Sequence, residues 1–426
     1  MSSATSQYEP EERRRVVITG IGVIAPNGRN PQTFWNSIQR GESAAGPLTR
    51  FDANDAPTKI ACEVQNFDPS DFMDAKGARR LDRSLLYSVG AAVHAVEDAG
   101  INWSALEADR VGVVEGTSVS TNDTVARATE AYAARGYRGV SLLGMINGYA
   151  GGGSGEISLR LGARGHSVTL STGSASGNDV MGHGLAMIER DDVDVVVAGG
   201  AEAPIVPTIW AAFCQGKVMT RRPGDPKQAM RPFDLDRDGF ILGEGATFLV
   251  LEEMSHALAR GARIYCELLA QGHACESYHP VAPNPQGTGI LRAMEKAIRR
   301  ARIDLTEVDY INAHGTATEA NDAVETLAIR KFFGEHANRL AVSSTKPVTG
   351  HLMAAAGAVE TAVCALAVHH QTMPPTLNLQ TPAAECDLDY VRDKARSYPI
   401  RVAMNLSSGF GGKNACLLLR HLDPRP

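Results

Sequence analysis

Residues 167–177 read SVTLSTGSASG, and residues 308–318 read VDYINAHGTAT. Each stretch opens on a short β-branched or apolar run, which predicts a strand. Each then turns through glycine and small polar residues into a helical pattern, over Ala175–Glu189 and Glu319–Phe333. A strand that ends in a polar turn and feeds a helix is the unit of layered α/β structure. Working outward, the first half predicts further strands at Arg14–Gly20, Val111–Glu115, Val193–Ala198 and Thr247–Leu251, and a helix over Leu81–Asp98 that stops at Gly100. The second half predicts strands at Ile264–Ala270, Val308–Ala313, Leu340–Ser343, Arg401–Asn405 and Ala415–Leu419, and helices over Gly287–Arg302 and Leu352–His369. The same rhythm occurs twice, with a seam near residues 255–263. Two similar halves are therefore expected, 14–258 and 259–426, behind a polar tail at 1–13 that has no apolar signal stretch.

Composition narrows the function classes. The chain has 426 residues, long for one plain domain and suggestive of two or three structural units, and a net charge of −6, which supplies no basic field for nucleic acid. Glycine accounts for 42 residues, roughly a tenth against a usual share of about 7%, so tight turns and close backbone approaches are expected. No apolar run reads as a membrane span. The seven cysteines form no CxxC pair, which argues against a disulfide framework or zinc site and for a reducing cytoplasm. Buried packing is their expected role.

Two motifs imitate known chemistry. Residues 20–25, GIGVIA, fit a dinucleotide phosphate loop, but Pro26, Asn27 and Gly28 follow where a helix would have to begin. A turn at the end of a strand is the better reading. Residues 234–239, DLDRDG, imitate a calcium loop, but position twelve is Gly245 and Arg237 puts a cation among the ligands. An acidic turn with local hydrogen bonds is expected instead.

Three segments deserve joint reading. Ser171–Gly177 lies between a strand and a helix, where the helix N-terminus favours negative charge; a plain cluster of N-cap residues has the same composition. His314 ends an apolar strand between Ala313 and Gly315. Residues 343–351, SSTKPVTGH, place Lys346 and His351 ahead of a helix that carries Glu360. Two neutral imidazoles can each donate an N–H to an oxygen that gains negative charge, which suits an enolate or a tetrahedral oxyanion.

With VVITGIGVIAPNG at the start, AGGAEA at 198–203, RPFDLDRDGFILGEGA at 231–246, NAHGTATEAND, SSTKPVTGHLMAAAGAVE and SGFGGKNA near the end, the chain resembles the β-ketoacyl synthases over about residues 14–420. The resemblance implies a thiolase-like fold, with duplicated βαβαβαββ halves in a five-layer αβαβα architecture. It implies that His314 and His351 are the active-site histidines, and that Lys346 and Glu360 form the network behind them. Thr316 and Thr318 would contact the phosphopantetheine arm, and the backbone N–H groups of Ser174 and Ser408 would form the oxyanion hole. Lys76, Arg79 and Arg80 match a basic cluster that meets an acidic acyl carrier protein; a solvated helix face is the plain alternative. No bound cofactor or metal is implied, since the carrier protein brings the phosphopantetheine. A homodimer is the family habit, with sheets pairing across the two-fold near the nucleophile strand.

The chain departs from the family at one position. The family's nucleophile is a cysteine, and this chain has Thr172-Gly173-Ser174-Ala175-Ser176-Gly177. An alcohol is far less acidic than a thiol and needs a general base to attack. Loss of carbon dioxide from a malonyl thioester needs only stabilisation of the enolate oxygen. The pattern therefore resembles the decarboxylating ketosynthase homologues of polyketide β-branching cassettes, which carry serine for cysteine. Those convert malonyl- to acetyl-carrier protein, which feeds an HMG-synthase-like enzyme. A second departure is Ser408, where the family often has the first Phe of S-F-G-F-G-G, though aromatic polyketide ketosynthases also lack it. Three alternatives stay open: a condensing enzyme or acyltransferase that uses Ser174 as nucleophile, a non-catalytic partner subunit like a chain-length factor, and a laboratory Cys→Ser variant, against which Gly173 in place of the frequent Ala speaks.

Overall fold

The computed structural model describes residues 13–422. The tail expected at 1–13 thus lies outside the described residues except for Arg13, whose guanidinium pairs with Glu189 at 2.7 Å. The first half contributes strands β1 (Val16–Ile24), β2 (Val111–Gly116), β3 (Ser167–Leu170), β4 (Val195–Glu202) and β5 (Gly245–Glu253). The second contributes β6 (Cys266–Cys275), β7 (Val308–Asn312), β8 (Ala341–Ser343), β9 (Val402–Gly409) and β10 (Lys413–Arg420). The strands lie in the same spatial order in both halves, β1-β5-β4-β2-β3 and β6-β10-β9-β7-β8. Nothing but a duplicated plan gives the orders first-fifth-fourth-second-third twice. The two sheets join where Val17 and Ile18 pair with Glu267 and Cys266. With the two-residue edge strand Asp389–Tyr390, the hydrogen bonding runs through eleven strands.

The main helices are α1 (Pro31–Arg40), α2 (Arg83–Ala99), α3 (Asn122–Arg135), α4 (Gly152–Leu161), α5 (Ser176–Glu189), α6 (Pro207–Gln215), α7 (Thr288–Ala301), α8 (Glu319–Phe333) and α9 (Ala356–His370). Helix α2 covers the outer face of the first sheet, and α7 covers that of the second. Helices α5 and α9 lie between the sheets and touch both, which makes five layers. This is the thiolase-like arrangement that the sequence predicts. Gly177 makes the centre possible, because a β-carbon there would fall 2.2 Å from the backbone nitrogen of Ala358.

Every residue of α9 from Ala356 to Val368 is buried. The segment Met353–His370 is, contrary to the expectation, long and apolar enough to cross a membrane by length and composition. It is 89% buried inside the protein, as a helix apolar on all faces must be in a layered core. Five cysteines are buried, but Cys214 is half-buried and Cys275 is exposed, so packing does not account for all seven. Helices α1, α3, α4 and α6 were not among the expected elements.

Both imitative motifs have structural roles. The glycines of 20–25 lie within β1, where β-carbons on Gly20 and Gly22 would fall 2.2 and 2.0 Å from carbonyls of α2. They let that helix pack close to the strand. In the acidic turn, Asp234 accepts the backbone N–H groups of Gln380 at 2.8 Å and Thr381 at 2.9 Å. Asp238 accepts the Thr220 hydroxyl at 2.6 Å.

Candidate active site

Strand β3 ends at Leu170, and α5 begins at Ser176; the chain reverses between them. Gly173 takes a left-handed φ of 63°, which a side chain would resist. The Ser176 hydroxyl ties the turn, accepting the Thr172 N–H at 2.8 Å and donating to the Gly173 carbonyl at 2.6 Å. Ser174 is thereby held at the helix start, with Oγ 3.1 Å from Nε2 of His351.

His314 follows β7. Its backbone N–H and that of Gly315 donate to the two oxygens of Glu325, at 2.7 and 2.9 Å. His351 is fixed by its main chain, which donates to the Ile241 carbonyl at 2.8 Å and accepts from Gly243 at 3.0 Å. The edge of Phe240 packs on its ring at 5.0 Å. The two imidazoles stand 5.5 Å apart, at 83° to each other. Behind them lies Lys346, whose ammonium donates to the Glu360 carboxylate and, at 2.5 Å, to the His314 carbonyl. It also sits 3.4 Å from Nδ1 of His314. An ammonium only donates, so that contact assigns the acceptor role to Nδ1 and the N–H to Nε2.

Electrostatics follow from burial. Burial holds both histidines well below the usual imidazole range, and the Lys346 charge adds to the effect. Both rings are therefore neutral at neutral pH. Burial likewise pushes the carboxyls of Glu325 and Glu360 up to about 7, with hydrogen bonds opposing it in the first and Lys346 in the second. Nδ1 of His351 has no hydrogen-bond partner among the described residues. Among the described residues, no carboxylate accepts from that ring as one does in a serine-hydrolase triad.

These groups line one cleft of about 290 Å³. Ser174, His314, His351, Thr316, Thr318 and Ser408 all face it, with Phe213, Phe240, Ile290 and Met353 supplying apolar wall. The hydroxyls of Thr316 and Thr318 are 2.9 Å apart. The Ser408 hydroxyl donates to Asn414 at 2.7 Å. Next to it, a β-carbon on Gly409 would fall 3.1 Å from the Ser174 nitrogen, so the end of β9 lies directly on the elbow. Lys346 and Glu360 lie behind the histidines. Lys76, Arg79 and Arg80 are apart from the cleft lining, all exposed, and none forms an ion pair among the described residues.

Two residues were not anticipated. Glu325 holds the His314 turn from the helix that follows it, α8, eleven residues further along the chain and just past the motif NAHGTATEAND. Phe410 lines the cleft and is 46% exposed, so the aromatic side chain at the rim comes from the second of the two motif positions. Among the described residues, no cluster of three or more His, Cys, Asp or Glu could hold a metal ion.

The family model "Beta-ketoacyl synthase, N-terminal domain" matches residues 13–257, and its C-terminal counterpart matches 265–380. A 3-oxoacyl-[acyl-carrier-protein] synthase 2 of Coxiella burnetii is 40% identical over 408 residues, 96% of this chain and 99% of that protein. One from a Synechocystis strain is 39% identical, over 96% of this chain and 98% of that protein. Among solved structures, the ishigamide ketosynthase/chain length factor superposes with a TM-score of 0.91 at 36% identity, covering 96% of this chain and all of that one. A type II polyketide acyl-carrier protein in complex with its ketosynthase gives 0.90 at 30% identity, with the same coverage.

Proposed function

The chain belongs to the β-ketoacyl synthase family, and we propose that within it this protein decarboxylates malonyl-acyl carrier protein to acetyl-acyl carrier protein for polyketide β-branching, without forming a carbon–carbon bond. Enzymes of this family act on thioesters of carrier-bound phosphopantetheine and need no separate cofactor. The acyl carrier protein is thus the partner, as in the solved complex of a related ketosynthase.

One observation carries the proposal: an alcohol at position 174 faces two buried, neutral histidines that are otherwise intact. In the proposed step the C–C bond to the carboxylate breaks and carbon dioxide leaves. The electron pair moves through the α-carbon onto the thioester oxygen. Nε2–H of His314 donates a hydrogen bond to that oxygen, with His351 beside it, and the enolate then takes one proton from solvent water at the α-carbon, releasing hydroxide and giving the acetyl thioester. Thr316 and Thr318 would receive the phosphopantetheine arm. The main-chain N–H groups of Ser174 and Ser408 would supply the oxyanion hole. Lys76, Arg79 and Arg80 would meet the acidic carrier surface. The acetyl product would pass to an HMG-synthase-like enzyme.

The 3.1 Å contact between Ser174 and His351 favours a second reading, an acyltransferase that uses the serine. Two features speak against it. Burial makes His351 a weak base, and no carboxylate supports the imidazolium that would form. A non-catalytic partner subunit is disfavoured by the retention of both histidines, Lys346 and Glu360.

The test is the mass of malonyl-carrier protein incubated with the enzyme. Conversion to the acetyl form is expected, and His314→Ala or His351→Ala should each slow it about 100-fold or more, as loss of an oxyanion donor does. Undiminished conversion in both variants would remove the histidines from the mechanism.

A further inference from the structure

The turn that carries Ser174 is tied to a carboxylate which the mechanism does not use. Asp179, in the first turn of α5, accepts the Thr172 hydroxyl at 2.6 Å with one oxygen. With the other it accepts the Gln271 side-chain amide of β6 at 2.7 Å. The same amide reaches the Asn178 carbonyl at 3.3 Å. The elbow is thus fastened across the molecule to β6 through one residue.

We propose that Asp179 is a positioning residue that fixes the elbow through Thr172 and sets a negative charge against the start of α5, so that an anionic nucleophile at position 174 is disfavoured. A helix N-terminus ordinarily stabilises an anion beside it. A carboxylate in the same first turn offsets that field. The α-carbons of Thr172 and Ser174 are at most about 7 Å apart, and the Thr172 side chain with its hydrogen bond adds about 5 Å, which puts the Asp179 charge within about 12 Å of position 174. At an effective dielectric near 20, one charge at that distance moves a neighbouring pKa by about one unit. Burial raises the Asp179 carboxyl above its usual range, opposed by the hydrogen bonds from Thr172 and Gln271 and by the charged and titratable groups that face it, His273 of β6 and Lys413 of β10. Around position 174, among the described residues, stand the neutral His314 and His351, behind them the Lys346–Glu360 pair, and on the cleft wall Glu276. The inference rests on the reading that Ser174 does not attack as a nucleophile. Its test requires no decarboxylase activity, so the two fail separately.

Cysteine placed at position 174 serves as the probe. The rate of alkylation by iodoacetamide is followed against pH in Ser174→Cys, with the parent protein subtracting the native thiols. Adding Asp179→Asn keeps the shape and most hydrogen bonds but removes the charge, and should lower the thiol midpoint by about one pH unit. A merely structural role for Asp179 would change the melting temperature and leave the midpoint in place. Coincident profiles for Ser174→Cys with and without Asp179→Asn overturn the proposal. Should Asp179→Asn not fold, Asp179→Ser is the second neutral variant, and an unmoved midpoint there overturns the proposal.

Discussion

The hydroxyl of Ser174 lies 3.1 Å from an imidazole that burial keeps neutral and that has no acidic partner on its far side. A thiol is far more acidic than an alcohol, which needs a competent base to attack. Restoring sulfur should therefore restore acylation: Ser174→Cys is expected to take up an acyl group from a thioester donor, seen as a mass adduct on the protein. A variant that stays unmodified would mean that more than the nucleophile separates this site from a condensing enzyme. His314 and His351 were legible because each sits beside glycine and threonine near the end of a predicted strand, and Ser174 because it lies in a small-residue turn ahead of a helix, whereas Lys346 and Glu360 were identified through the family resemblance. Glu325 was not, because its partners are main-chain N–H groups, which leave no mark in a pattern of side chains. Phe410 was not singled out in the sequence because attention fell on Ser408, the first of two motif positions, and both line the cleft.

Helices α5 and α9 cross in contact at Gly177 and Ala358, and the whole five-layer arrangement depends on that approach. Gly177→Ala must push the helices apart; an overpacking cost of about 1–3 kcal/mol is expected, measured as a lower denaturant midpoint. An unchanged midpoint would show that the centre is looser than the packing implies. Neighbouring strands β2 and β4 each bury a carboxylate, Glu115 and Glu202. Burial raises Glu115 to about 7, opposed by hydrogen bonds from Ser88 and Ser154. A carboxyl raised on folding contributes stability that is full below its unfolded value of about 4.3 and is lost as pH rises through about 7. Glu115→Gln, which can keep the Ser88 bond, should therefore match the parent near pH 5 and gain on it by pH 8. The ceiling is about 3 kcal/mol. A melting-temperature difference that does not grow with pH would contradict this. Strands were the readable elements, since buried β-branched runs such as Val195–Ala198 have few other readings. Helices α3 and α4 escaped because they are rich in alanine or glycine and show no clean apolar stripe.

Across the whole molecule, exposed apolar side chains gather on residues 125–159, with Leu142 at 79%, Leu159 at 78% and Met145 at 75% exposure. Strand β3 lies at the open edge of the sheet beside them. An unpaired edge and an apolar patch invite a second copy, which supports the proposed homodimer. Leu142→Glu with Leu159→Glu should then shift the mass in light scattering from dimer to monomer; an unchanged mass would place the interface elsewhere. The duplication was legible as a repeated rhythm, but the union of the halves into one hydrogen-bonded sheet was not. It rests on two residue pairs between β1 and β6 that no local pattern announces. The central claim, decarboxylation without acyl transfer, is tested most directly by one mass spectrum of enzyme and malonyl-carrier protein after reaction. The account predicts that the carrier loses carbon dioxide to become acetyl-carrier protein while the enzyme keeps its unmodified mass. An acyl adduct on Ser174, or a malonyl-carrier protein left intact, would contradict it.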